Sequence, residues 1–367
     1  MKRNFILVFT CIFIVGLLGI QEKVYAYSPP VTKVEAGYRH NIALKEDGTV
    51  WTWGYNFYGQ LGDGTKSNER NYPLQVNGLN DIVDVDAGQG HSVALKNDGT
   101  VWSWGNNDVG QLGDGTTTAK CNPVQVSGLS DVIDIACGEK FTLAIKNDGT
   151  LWAWGSNTYG QLGDGTTISK KVPVQVKNIS NVTAIEGGRY FALALTSGGT
   201  LWAWGSNAYG QLGDGTQTSK KTPVAVLSGV SSIGAGAYHS LAIKYDGTVW
   251  SWGDNAYGQL GDGTKIRKIS PTQVIGVSDV KSITGGWNHT IILKNDGTVW
   301  VCGSDWWGEL GDGIIYNSTN NSKSTLIQLS GISGARTVSG GDSFTIVTLQ
   351  DGSVWGCGIN DGGQLGD

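Results

Sequence analysis

Histidine, cysteine, proline and charge are all scarce in this 367-residue sequence. It holds 4 His, 5 Cys and 7 Pro, and only 16% of its residues are charged, against about 25% in an average globular chain. So little proline, with no glycine at every third position, excludes a collagen-like chain. Cys11 falls in an N-terminal apolar run, which leaves Cys121, Cys137, Cys302 and Cys357 for the body of the chain. Those four are too few for a disulfide framework, and Cys302 and Cys357 read as buried thiols acting as small hydrophobes. The net charge of −5 excludes nucleic acid as an expected partner, because phosphate backbones select basic surfaces. Beyond residue 20 no stretch is apolar enough to cross a bilayer. Walker, zinc and nucleophile-elbow motifs are missing as well.

Glycine and tryptophan are abundant instead. There are 57 Gly and 15 Trp, and the glycine share is more than twice the usual value of about 7%. Glycine costs about 1 kcal/mol in a helix interior, so the composition points to strands and tight turns. A hydrophobic content of 39%, with 10% aromatics, builds a large core and excludes disorder.

The N-terminus has the three parts of a secretory signal. Lys2 and Arg3 are basic, Phe5 to Ile20 is apolar, and Val24-Tyr25-Ala26 offers a cleavage site. The expectation is a signal peptide over 1–26 and a secreted or cell-surface chain starting near Tyr27. An uncleaved anchor is the alternative.

One phrase then recurs seven times. Asp-Gly-Thr-Val-Trp-x-Trp-Gly first appears at Asp47 to Gly54, and its first tryptophan falls at Trp51, Trp102, Trp152, Trp202, Trp250, Trp300 and Trp355. Gly-Gln-Leu-Gly-Asp starts at Gly59, Gly110, Gly160, Gly210, Gly258 and Gly363, with Glu309 for Gln in the copy at Gly308. A period near 50 residues means an array of supersecondary units. Each unit reads as four strands, with Asp-Gly predicting a type I′ hairpin and Pro-x-Gln-Val an outer strand. The two tryptophans of a unit share one sheet face, and a modest residue stands between them.

The fold class is therefore all-β. We expect one domain over 27–367, a seven-bladed β-propeller with four antiparallel strands per blade. The blades fall at about 31–79, 80–129, 130–179, 180–230, 231–277, 278–332 and 333–367. The last blade is expected to lack its outer strand, because Asp367 falls within the Gly-Gln-Leu-Gly-Asp phrase.

The extended pattern at 87–115 runs Ala-Gly-x-x-His-x-x-Ala-Leu-Lys-x-Asp-Gly-Thr-Val-Trp-x-Trp-Gly-x-Asn-x-x-Gly-Gln-Leu-Gly-Asp-Gly. It resembles the regulator of chromosome condensation repeat family. The resemblance covers essentially all of 31–367 and implies a seven-bladed propeller. It also implies two specific activities to weigh: inhibition of another protein, as by a secreted bacterial propeller of similar fold, and guanine-nucleotide exchange, as in the family's namesake.

Nothing in the repeat predicts catalysis, a cofactor or a metal. His40, His91, His239 and His289 all occupy one slot, which Phe141, Phe191 and Phe344 fill in the other blades. A slot open to His or Phe is a packing slot. The repeated aspartates sit in turns, one carboxylate per loop, too few for a calcium site.

Variable loop residues are the better candidates. The turn after the first strand carries Tyr38, Arg39, Arg189, Tyr190, Tyr238 and Trp287. The loop after the third strand carries Trp306 and Trp307, then a basic tip that includes Arg70, Lys120, Lys170, Lys220, Lys268 and Lys323. Both loops emerge on one face, where Tyr, Trp and Arg suit a protein-binding surface. The expected function is a secreted, monomeric, non-enzymatic module that binds an extracellular protein partner, as an inhibitor in its most specific form. Nucleotide exchange and glycan or cell-wall binding are the alternatives.

Overall fold

The computed structural model describes residues 4–5, 29–67, 69–313 and 321–366. The expected leader, apart from 4–5, lies outside these residues. So do Asp367 and residues 314–320 of the Asn/Ser-rich loop.

The described residues form seven antiparallel sheets and no helix. Blade 1 runs outward through Val31–Ala36, His40–Lys45, Val50–Tyr55 and Glu69–Gln75. Blade 4 is representative of the others, with Val182–Gly187, Phe191–Thr196, Thr200–Gly205 and Lys220–Ser228. Blade 7 has three full strands, Ala335–Gly340, Phe344–Leu349 and Val354–Gly358. Among the described residues, Asn4 and Phe5 alone pair at its outer edge, with Trp355 and Val354.

The Asp-Gly hairpins are not type I′. That turn needs positive φ at both central residues, yet Asp47 stays at negative φ and only Gly48 is left-handed, at 75°. Gly48 N–H donates to Lys45 O, and Lys45 N–H to Thr49 O. This is a type I turn followed by a glycine bulge. The aspartate side chain selects it: Asp47 Oδ1 accepts the Thr49 N–H at 3.0 Å and the Thr49 hydroxyl at 2.7 Å.

Seven apolar clusters hold the ring, each shared by two neighbouring blades. Val34, Trp53, Phe344 and Ile346 join blade 7 to blade 1 and close it. The second tryptophan of the phrase is the main piece. Trp104, Trp154, Trp204 and Trp252 are fully buried. Burying one such indole removes about 200 Å² from water, on the order of 5 kcal/mol before entropy is counted.

Each of these indoles also crosses to the preceding blade. Nε1 of Trp53, Trp104, Trp154, Trp204 and Trp252 donates to the main-chain oxygen of Gln364, Gln60, Gln111, Gln161 and Gln211, at 2.8–3.0 Å. The free thiols of Cys302 and Cys357 point at the equivalent oxygens of Gln259 and Glu309, at 3.6 and 3.4 Å. The Gly-Gln-Leu-Gly-Asp phrase is thus the acceptor half of an inter-blade stitch. Its second glycine lies against the donor: a Cβ on Gly113 would sit 2.8 Å from Trp154 Nε1.

Candidate interaction face

The turn from the first to the second strand carries two variable residues per blade, and they take different directions. The first of each pair lines the central mouth. These are Tyr38, Gln89, Glu139, Arg189, Ala237, Trp287 and Asp342, set above a floor of Ala36, Ala87, Cys137, Gly187, Ala235, Gly285 and Gly340. Small floor residues are required because seven strands crowd the axis. They leave a cavity of about 110 Å³.

In four blades the second residue of the pair, Arg39, Lys140, Tyr190 or Tyr238, reaches the preceding blade. Tyr190 packs on Tyr159 at 5.1 Å between ring centres, and Tyr238 on Tyr209 at 4.8 Å. Arg39 Nη1 donates to Asp361 at 3.0 Å, and Lys140 Nζ to Asp108 at 2.6 Å. These contacts place the third-to-outer loops on the mouth face.

Arg189 is the centre of the collar. Its Nε donates to Glu139 and its Nη1 to the Tyr238 hydroxyl. Its guanidinium carbon lies 4.4 Å from the Trp287 ring centre and 4.8 Å from that of Tyr190. Burial pulls Arg189 down, but the hydrogen bond and charge of Glu139 outweigh it and hold the group above its usual range. Trp287 meets Tyr38 edge-on at 5.2 Å and Tyr238 at 6.0 Å. Beyond Tyr38, burial raises Asp342 to about 6.

The structure therefore brings Tyr38, Arg39, Arg189, Tyr190, Tyr238 and Trp287 into one half-buried network. Trp306 and Trp307 stand farther out on the same face. They sit on the outer loop of blade 6, 39% and 56% exposed, at the loop position that Phe57-Tyr58 takes in blade 1. Much of the basic tip is also committed elsewhere. Arg70, Lys120, Lys170, Lys220, Lys268 and Lys323 each pair with the aspartate of their own Leu-Gly-Asp turn, at 3.2–3.6 Å.

The four histidines lie between blades and are fully buried. Nε2 of His40, His91, His239 and His289 meets the hydroxyl of Ser92, Thr142, Thr290 and Thr345 of the next blade, at 2.9–3.2 Å. Those hydroxyls donate onward to the main-chain oxygens of Gln60, Gln111, Gln259 and Glu309. Each must therefore accept from the imidazole, which fixes the Nε2–H tautomer. Each Nδ1 is unpartnered. Burial pushes His40 and His239 down to about 3, and His91 and His289 to about 4. The first tryptophans, Trp51, Trp102, Trp152, Trp250, Trp300 and Trp355, are half-buried on the opposite face. Each donates to the Thr or Ser hydroxyl two residues before it.

Sequence reasoning passed over a charged group on the innermost strands. Lys33 Nζ lies 2.7 Å from Asp84 and 3.3 Å from Glu35. Asp86 accepts the Cys137 N–H at 2.6 Å. Burial raises Asp134 to about 7, and burial with the charges of Asp86 and Glu35 raises Glu186. The available signal was asymmetry. Blades 1 and 2 place charges at both the third and fifth positions of that strand, blade 3 at the third (Asp134) and blade 4 at the fifth (Glu186), while blades 5 to 7 place Ser, Thr or Gly there.

These features define a seven-bladed propeller with a repeated scaffold and a variable mouth. A family model described as the RCC1-like domain matches residues 16–230 and 69–367, and the chain belongs to that family. The human E3 ubiquitin-protein ligase HERC2 is 45% identical over 91 residues, 24% of this chain and 2% of the ligase. The X-linked retinitis pigmentosa GTPase regulator homolog of Caenorhabditis elegans is 39% identical over 98 residues, 26% of this chain and 7% of that protein. The matched stretch is a small fraction of either relative. Among solved structures, yeast RCC1 (Prp20) bound to Kap60 superposes with a TM-score of 0.76 at 21% identity, covering 91% of this chain and 82% of that one. Human WBSCR16 gives 0.77 at 23% identity, covering 90% and 87%. These two establish likeness of fold.

Proposed function

We propose that this chain is a non-enzymatic propeller that binds a protein partner across the mouth face, outside the cytoplasm. The observation that carries this reading is the contrast between scaffold and collar. Most repeat positions are bonded in the same way in most blades, whereas the first collar position holds a different residue in each of the seven. The collar gathers Tyr38, Arg189, Tyr238 and Trp287 into one half-buried patch. Aromatic and arginine side chains in that state lose little entropy on binding and dominate interface energetics. Yeast RCC1 (Prp20), a protein of similar fold, is bound to Kap60 in its structure. Secretion rests on the leader pattern at 1–26. An inhibitory role is the specific form of the proposal.

The test is affinity capture with the purified chain from culture supernatant and cell wall of its source, repeated with Trp287→Ala and Arg189→Ala. Each variant is expected to weaken the captured complex by at least tenfold while keeping the circular dichroism of the parent. Capture unchanged by both substitutions would refute the mouth as the binding face.

A further inference from the structure

On the face opposite the mouth, six blades share one arrangement and blade 4 breaks it. In the six, an aspartate accepts from a Thr or Ser hydroxyl at 2.6–2.7 Å, and that hydroxyl accepts from the first tryptophan at 2.9–3.3 Å. In three of them a lysine also covers the indole: Lys45 on Trp51 at 4.3 Å, Lys244 on Trp250 at 5.3 Å and Lys294 on Trp300 at 5.6 Å.

Blade 4 has Gly198 at the aspartate position and Thr196 at the lysine position. Both losses fall on one tryptophan. Trp202 Nε1 is buried without a hydrogen-bond partner, although the other six first tryptophans have one. Beside it opens a cleft of about 650 Å³. An unpaired buried donor costs about 1–3 kcal/mol, and this one belongs to a residue that walls the cleft.

The lining sets the ligand class. Trp202 and Ile179 supply the apolar surface, and Asn178, Asn181, Thr196, Ser197 and Thr200 supply amides and hydroxyls. None of the lining residues is charged, so nothing there compensates a phosphate, a carboxylate or an ammonium group. Tyr245 of blade 5 stands next to the turn, 69% exposed; a Cβ on Gly199 would sit 2.7 Å from its ring. An aromatic platform ringed by neutral donors and acceptors matches a sugar ring, which has an apolar C–H face and a hydroxyl edge.

We infer that this cleft is a binding subsite for a neutral saccharide. It lies on the opposite face from the proposed protein interface and does not depend on that reading.

The test is isothermal titration of the full chain with cellohexaose, xylohexaose, chitohexaose and maltohexaose. The control is the double variant Thr196→Lys with Gly198→Asp, which restores the arrangement of the other blades. The space around Gly198 is open, with nothing within 4 Å of a Cβ placed there. The variant is therefore expected to fold with an equal or higher melting temperature. The parent is expected to bind at least one of the four sugars, and the double variant to bind it at least tenfold more weakly. A second variant, Trp202→Phe, keeps a ring but removes the N–H and is expected to bind severalfold more weakly. Absence of binding to all four sugars overturns the inference, and so does equal affinity in the parent and the double variant.

Discussion

Lowering the pH from 7.5 to 4.5 addresses the buried histidines directly, and His239 is the site to work through. It is fully buried, donates from Nε2 to Thr290 at 2.9 Å, and has no partner at Nδ1. Burial depresses it from 6.5 to about 3. The sign follows from the order of protonation. As pH falls through 6.5, the unfolded chain takes up a proton that the folded chain refuses, so stability is complete above 6.5 and is lost progressively below it. Each pH unit in that window costs about 1.4 kcal/mol per histidine. Between pH 7.5 and 4.5 His239 therefore contributes a loss of about 3 kcal/mol, a large part of a typical domain stability of about 5–15 kcal/mol.

Whole-protein pH dependence alone does not isolate this effect. Asp134 is raised to about 7, so it loses stability as pH rises and works in the opposite direction. The clean observable is the difference between the parent and His239→Phe. Phenylalanine already fills this slot in three blades. Thr290 keeps its bond to the Gln259 oxygen without the imidazole. Any overpacking by the larger ring, about 1–3 kcal/mol, is the same at both pH values. Urea unfolding followed by tryptophan fluorescence at pH 7.5, 6.0 and 4.5 is expected to show the variant gaining about 3 kcal/mol on the parent across the series. Parallel pH profiles for the two proteins would refute the buried-neutral assignment.

Asp305 gives a prediction of opposite pH sense. The other six blades have Asn at this position, and in five of them its Nδ2 donates to the Leu-Gly-Asp carboxylate at 3.0–3.2 Å. Asp305 keeps the acceptor bond from Leu310 N–H but has no amide donor, and burial, with Asp312 and Glu309 nearby, raises it to about 7. A raised carboxyl loses stability as pH climbs from its ordinary value to the raised one. Asp305→Asn is therefore expected to gain about 2 kcal/mol on the parent between pH 5 and pH 8, read from denaturation midpoints; no pH-dependent gain would sink the reading. Trp252→Phe removes the inter-blade bond to Gln211 and part of a filled volume, and is expected to cost about 2–4 kcal/mol in urea unfolding. Cys302→Ala, at the equivalent place in blade 6, is expected to cost only about 1 kcal/mol, because its thiol makes a long, weak contact. Equal costs at the two sites would refute the stitch.

The ring was legible because period and residue type carry it. Two tryptophans two residues apart, with small neighbours, specify a face, and seven copies specify a closed array. Partner geometry was less accessible. The type I′ expectation at Asp47-Gly48 failed because dipeptide statistics do not register a side chain bonding to Thr49. The lysines of the basic tip looked like free charge because the aspartates they pair with stand 6 to 11 residues earlier in each loop. Trp306 and Trp307 were legible as residues of the same face, whereas their radial position on it was not. Arg189 and Trp287 lie 98 residues apart, and only ring closure over three blades brings them to 4.4 Å.

The repeat also acts as its own control, which changes what a deviation means. Replacing Asn by Asp at 305 removes a donor from a buried hub; replacing Asp by Gly at 198 removes an acceptor from a relay. Both are single departures from a pattern that the other blades keep. In isolation neither is interpretable, since Asp and Gly are ordinary loop residues. Against the other blades each leaves a definite chemical deficit: a carboxyl facing Asp312 in one case, an unpaired indole N–H in the other. A proton supplies the first deficit, as the pH sense of Asp305→Asn is designed to show. A proton cannot supply the second, because an indole N–H needs an acceptor. The deficit in blade 6 therefore shows in pH-dependent stability, whereas that in blade 4, with a cleft beside it, points to a ligand.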